Sequence, residues 1–98
     1  MRRLRPIEVG CVARSLKGRD GGRLMIVLGL EGDSFATVAD GKLRKVASPK
    51  RKRRSHLKYE ADPIPDFAKR LAAGEGIGDF EIRAVLKAFD TEEEVTIG

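Results

Sequence analysis

The spacing of apolar residues along the chain changes near residue 60. Before that point they come in short runs rich in Val, Ile and Leu and broken by glycine. The runs are Val9 to Leu16, Leu24 to Leu30, Phe35 to Ala39, Leu43 to Ala47, and a shorter piece at His56-Leu57-Lys58. Runs of this length bounded by turn residues predict β-strands. Asp40-Gly41 predicts a two-residue hairpin, because a type I′ turn requires positive φ at both central positions. Pairing across that turn sets Val38 opposite Leu43 on one face, and Thr37 opposite Arg44 and Ala39 opposite Lys42 on the other. One face is then apolar and the other basic. Five short strands with glycine-rich connections over residues 7–58 predict a mainly β unit, a small five-stranded barrel whose closure removes most exposed edges.

After residue 60 the period becomes helical. Ile64, Phe67, Ala68 and Leu71 recur at i, i+3, i+4 and i+7, with Pro63 and Pro65 at the start, Asp66 in the first turn and Gly74 just past the end. After a break at Gly74-Glu75-Gly76-Ile77-Gly78, the residues Ile82, Val85, Leu86 and Phe89 repeat the spacing, with Asp79 as N-cap. Residues 59–98 thus read as a helical hairpin and an acidic tail, with fraying expected from Thr91 onward. Helices this short do not hold alone in water, so their apolar stripes must meet each other, the barrel or a partner.

Size and composition narrow the function. At 98 residues one domain with a thin core is expected, and a deep cleft between subdomains is not. A single cysteine, Cys11, forms no internal disulfide, which points to a reducing, cytoplasmic setting. In a strand it faces inward with Ala13 or outward with Val9. No apolar segment follows the basic start Met1-Arg2-Arg3, and the run from Leu24 to Leu30 is far shorter than a bilayer span, so no membrane partner is expected.

Charge divides the chain more sharply than its net +5 indicates. Residues 1–58 hold 16 Lys and Arg against 5 Asp and Glu, a net of +11, whereas residues 59–98 hold 4 against 10, a net of −6. The first part favours a polyanionic partner. The acidic helices are expected to face away from that partner or to shield the barrel until it binds.

Two constellations carry this charge. In Ser15-Leu16-Lys17-Gly18-Arg19-Asp20-Gly21-Gly22-Arg23, glycines let the backbone turn sharply and approach a ligand closely, with Lys17, Arg19 and Arg23 around them. The loop is not a nucleotide P-loop, since no Gly-Lys-Ser/Thr follows at the required spacing. The second is Lys50-Arg51-Lys52-Arg53-Arg54, a basic loop beside Lys45 and Lys58. Adjacent like charges repel by roughly 1 kcal/mol per close pair in water, so folding alone gives no reason to gather them. A nucleic-acid backbone does, and a nuclear address has the same composition.

The stretch from Val9 through Gly10-Cys11-Val12-Ala13-Arg14, the glycine loop and Leu24-Met25-Ile26-Val27-Leu28 resembles the KOW motif of translation and transcription proteins, Gly22 matching its best-kept glycine. Together with Val38-Ala39-Asp40-Gly41-Lys42-Leu43-Arg44, the basic run and His56-Leu57, it is similar to bacterial KOW-domain RNA-binding proteins, relatives of the fourteen-e type large-subunit ribosomal proteins. The resemblance covers residues 7–58. It implies an SH3-like barrel that binds RNA, in particular ribosomal RNA or the ribosome, without catalysis. Gly18, Gly21 and Gly22 are then expected to shape the loop, and Lys17, Arg19, Arg23, Lys42 and Arg44 to contact phosphate. Lys50, Arg51, Lys52, Arg53 and Arg54 are expected to anchor the RNA, and Arg14, Lys45, His56 and Lys58 to complete the surface.

Aromatic residues are few. Phe67 and Phe89 fall on the helical stripes, and Phe35 either packs under the helices or stacks on a base. Backbone and shape recognition of structured RNA is therefore expected over sequence reading. His56 and Cys11 are each the sole residue of their kind, so no zinc site or nucleophile–base pair assembles, and no cofactor, metal or small-molecule substrate is expected. A second reading is a protein-interaction module that docks a partner through the barrel or the hairpin. Its discriminating feature is whether Ile82, Leu86 and Phe89 are covered or exposed.

Overall fold

The computed structural model describes residues 6–97, with side chains placed through Phe89; the basic residues 1–5 and the side chains of the acidic tail lie outside it. Five strands form one antiparallel sheet. They are β1 (Val12–Ser15), β2 (Leu24–Glu31), β3 (Phe35–Ala39), β4 (Lys50–Arg53) and β5 (Leu57–Ala61), in the order β4-β3-β2-β1-β5. The ladders leave the sheet open between β4 and β5. These two edges are nonetheless consecutive in the chain, joined by a 3-10 turn at Arg54–His56. Four strand spacings of about 4.8 Å put the edges of a flat sheet about 19 Å apart, whereas the link from Arg53 to Leu57 reaches at most about 14 Å. The sheet must therefore curl. Register shifts between Val12 and Ala13, and between Val27 and Gly29, mark where it bends.

The pairing of β3 corrects the sequence reading. Its partner is β4, with Val38 opposite Lys50, Thr37 opposite Arg51, Ala36 opposite Lys52 and Phe35 opposite Arg53. Leu43 to Ala47 is not a strand, and Asp40-Gly41 does not turn a two-residue hairpin. The Asp40 carboxylate instead accepts the backbone N–H groups of Lys42 (2.9 Å) and Arg44 (2.8 Å) through Oδ1, while the Arg44 carbonyl accepts the N–H groups of Asp40 and Gly41. An aspartate side chain that satisfies its own loop competes with strand pairing. The basic run, read as a loop, is a strand for most of its length.

Side-chain parity builds a core on each face. On one, Cys11, Ala13, Met25, Val27, Ala36, Val38 and Leu57 pack together with Ile7. This settles Cys11 as inward with Ala13, and burial pushes its thiol pKa up. On the other, Val12, Leu24, Ile26 and Ala39 pack against the helices α1 (Pro65–Ala72) and α2 (Asp79–Ile97) and the Ile77 that precedes α2, with Phe67, Ile82 and Leu86 supplied by the helices. Both faces of β2 are covered, which is why Leu24-Met25-Ile26-Val27 shows no polar alternation. β5 extends through Ala61, past the boundary expected at residue 58.

Pro65 at the first position of α1, Asp66 in its first turn and Gly74 in the left-handed conformation after it fit the sequence signals. For α2 the cap differs. The Ile82 N–H donates to the Gly78 carbonyl, so Gly78 holds the cap position, and Glu81 reaches back to the Gly78 N–H at 2.9 Å. Asp79 lies in the first turn, and its carboxylate accepts the Val46 N–H at 2.8 Å, tying the Asp40 loop to the helix. Arg70 joins the two helices through a bidentate pair with Glu81 at 2.6 and 2.9 Å. The backbone of α2 remains helical to Ile97, where the sequence predicts fraying from Thr91.

Candidate nucleic-acid interface

Strand geometry sorts the basic run by parity. Arg51 and Arg53 point outward and are exposed, whereas Lys52, between them, is 7 % exposed on the inner side of β4. Its ammonium donates to Asp20 Oδ1 at 2.8 Å and to the Lys17 carbonyl at 2.8 Å. The Ser15 hydroxyl donates to the same Asp20 oxygen at 2.9 Å. Burial raises the Asp20 pKa, but the hydrogen bonds from Lys52 and Ser15 outweigh it and leave the carboxyl below its ordinary value. Lys52, expected to contact RNA, thus staples β4 to the glycine loop. It keeps a cation off the outer surface and fixes the loop that presents Lys17 and Arg19.

The glycine loop itself is closed by backbone bonds from Gly22 N–H to the Ser15 carbonyl (2.7 Å) and from Ser15 N–H to the Arg23 carbonyl (2.9 Å). Gly18 and Gly22 both adopt positive φ, and Gly21 donates its N–H back to the Gly18 carbonyl. Lys17, Arg19 and Arg23 are exposed around the turn.

On the outer face of β3 and β4, the Arg51 guanidinium lies 3.7 Å from the centroid of the Phe35 ring and that of Arg53 lies 5.1 Å away. Phe35 thus pairs with Arg53 and packs between two cations instead of under the helices. Glu31 is ion-paired to Arg51 at 2.9 Å. This face borders a shallow depression of about 370 Å³ that also takes in Lys17, Lys50 and His56.

Other expected contacts have internal work. Arg14 pairs with Glu60 at 2.8 Å and donates to the Gly22 carbonyl at 2.8 Å, which braces the loop against β5. Arg54 donates to the carbonyls of Gly32 and Ile7 at 3.2 and 3.1 Å. Arg54 thus braces the surface, and Arg14 both braces the loop and lines a depression beside α2. Lys42, Arg44 and Lys45 are exposed in the Asp40 loop, and Lys58 is exposed with Glu60 at 3.8 Å.

The helical segment adds two cations that sequence reasoning missed. Arg83 and Lys87, one turn apart on α2, line a second depression together with Gly22, Arg23 and Lys42. The signal is present as an i, i+4 basic pair, but the net −6 of the segment hides it. The apolar stripe of α2 is covered by the sheet, with Ile82 and Leu86 buried and Phe89 half-buried. Among the described residues no three His, Cys, Asp or Glu side chains gather to hold a metal ion, and no helix is long and apolar enough to cross a membrane. No family model matches the chain, and no curated protein matches it at a significant level.

Proposed function

We propose that this chain is a non-catalytic RNA-binding protein of the cytoplasm that engages ribosomal RNA or the ribosome through an SH3-like barrel of the KOW type. The observation that carries the reading is the outer face of β4. Arg51 and Arg53 flank Phe35 there, and Lys17 lies beside them, with Glu31 as the paired acid. On the same strand the buried Lys52 is neutralised by Asp20, whereas Arg51 and Arg53 carry their charge on the exposed side. The strand order, with the two sheet edges joined by a 3-10 turn, supports the barrel.

The test is the salt dependence of RNA affinity in the full chain. Arg51→Gln with Arg53→Gln weakens binding and reduces the slope of log affinity against log salt by about 0.7–0.9 for each phosphate no longer neutralised. An unchanged slope overturns the reading. Co-sedimentation with large ribosomal subunits at low salt, abolished at high salt, tests the ribosomal partner. The covered stripe of α2 gives the protein-docking alternative no free surface at Ile82 or Leu86.

A further inference from the structure

A depression of about 440 Å³ lies between the sheet and α2, and cations reach it from four separate places in the chain. Arg14 comes from β1, where it is paired with Glu60, Arg23 from the end of the glycine loop, Lys42 from the Asp40 loop, and Arg83 and Lys87 from one face of α2. Leu24 and Leu86, both buried, lie beneath them. Asp40 is the one acid among the described lining residues. Its Oδ1 is held by the N–H groups of Lys42 and Arg44, and its Oδ2 lies 3.5 Å from Arg23 Nη1. Asp40 thus fixes the backbone that carries Lys42 and pairs with Arg23, leaving Lys42, Arg83 and Lys87 as the further cations of the cleft.

The approach of α2 to this rim depends on Gly41. A Cβ there would lie 2.5 Å from the Asp79 carbonyl oxygen and 3.1 Å from Arg83 Cγ, and the backbone has a φ of +76°. Arg83 Nη1 donates to the Gly41 carbonyl at 2.6 Å, which anchors the guanidinium at the edge of the depression with other N–H donors of its fork remaining. Guanidinium and ammonium groups around an apolar base have the chemistry to hold a phosphoryl group.

We propose that this cleft seats a phosphate of bound nucleic acid, so that α2 forms one wall of the interface. The source of the phosphate rests on the nucleic-acid reading above, while the chemistry of the seat rests on the cleft alone. The acidic segment then neither faces away from the polyanion nor shields the barrel from it. Gly22 and Arg23 line this cleft while Lys17 and Gly18 line the depression beside β4, so the glycine loop joins the two into one basic band.

Two titrations of the full chain test this. In the first, inorganic pyrophosphate is added to isotope-labelled protein, and saturable movement of the Arg23 and Arg83 side-chain signals is expected. In the second, Lys42→Gln with Lys87→Gln is compared with wild type on a duplex RNA. These substitutions leave the Arg83–Gly41 bond in place, and an unchanged melting temperature confirms that the fold is intact. The salt slope is expected to fall by about 0.7–0.9, the value for one phosphate. Pyrophosphate shifts that do not saturate, or that are as large at Lys17 and Arg51, overturn the seat; if Arg51→Gln with Arg53→Gln still lowers the slope, the RNA-binding function stands without it. Saturation at the cleft with an unchanged RNA slope, or with no RNA binding by wild type, overturns the nucleic-acid source and assigns the seat to a free phosphate compound.

Discussion

The Lys52 ammonium lies 2.8 Å from Asp20 Oδ1, and both side chains are largely withdrawn from water, at 7 % and 13 % exposure. Within a run of five cations, Lys52 therefore acts in folding while its neighbours Arg51 and Arg53 face outward. Lys52→Met keeps the aliphatic stem but leaves the Asp20 side chain with only Ser15, and it is expected to cost about 2–3 kcal/mol in denaturant unfolding. Arg53→Met, on the exposed side of the same strand, is expected to cost less than about 0.5 kcal/mol. Equal destabilisation by the two variants counts against the parity assignment of β4.

Much of the fold is legible because burial imposes a period. β3 runs from Phe35 to Ala39 as read, and the stripe Ile64, Phe67, Ala68 and Leu71 forms α1 with Gly74 past its end. The errors arise where the chain offers no apolar period. Lys50-Arg51-Lys52-Arg53 shows no hydrophobic alternation, so its strand is visible only through what each residue meets: Asp20 on one side, Phe35 on the other. Asp40-Gly41 carries a true turn signal, but the Asp40 carboxylate closes a longer loop on itself. At the candidate interface, parity alone does not tell that Arg14 and Arg54 are engaged by Glu60 and by carbonyls. A net charge averaged over a whole segment likewise conceals Arg83 and Lys87 on one face of α2.

Helix pairing through Arg70 and Glu81 gives a pH signature. The hydrogen bonds from Arg70 and then from the Gly78 N–H lower the Glu81 pKa from 4.5 to about 2. A carboxyl depressed in the folded state stabilises the fold above its unfolded pKa and loses that contribution as pH falls through the folded value. The stability difference between wild type and Glu81→Gln is therefore expected to be full at neutral pH and to shrink between pH 4.5 and about 2. Thermal melts of both proteins across that range check it. A difference that persists unchanged at the acid end shows that the pair contributes through packing instead of charge.

Gly41 and Gly22 separate two costs of replacing a glycine. Both have positive φ, +76° and +90°, but nothing lies within 4 Å of a Cβ at Gly22, whereas at Gly41 it meets the Asp79 carbonyl oxygen and Arg83. Gly22→Ala carries the backbone cost alone, about 1 kcal/mol. Gly41→Ala adds a clash with helix backbone and is expected to cost about 2–4 kcal/mol, or to push α2 away from the loop. Denaturant midpoints rank the two. Hydrogen exchange at the Val46 N–H, which donates to Asp79, reports whether the helix has moved. Similar midpoints for both variants contradict the close approach of α2 to the loop.

Phe35 distinguishes two ways a basic strand can engage RNA. With Arg51 at 3.7 Å from its ring centroid and Arg53 at 5.1 Å, the ring holds the two guanidinium groups that are proposed to act on phosphate. Phe35→Leu keeps apolar bulk and every charge but removes the cation–π contribution, about 0.5–1 kcal/mol at an exposed site. RNA affinity is then expected to fall about two- to fivefold with the salt slope unchanged, because the number of phosphates neutralised stays the same. The weakening should be equal for duplex and single-stranded probes. A base stacked on the ring predicts a different result, a penalty of about 1–3 kcal/mol confined to single strands. Filter-binding or anisotropy titrations of Phe35→Leu with both probes decide between them, and an effect restricted to the single strand replaces backbone recognition at β4 with base stacking.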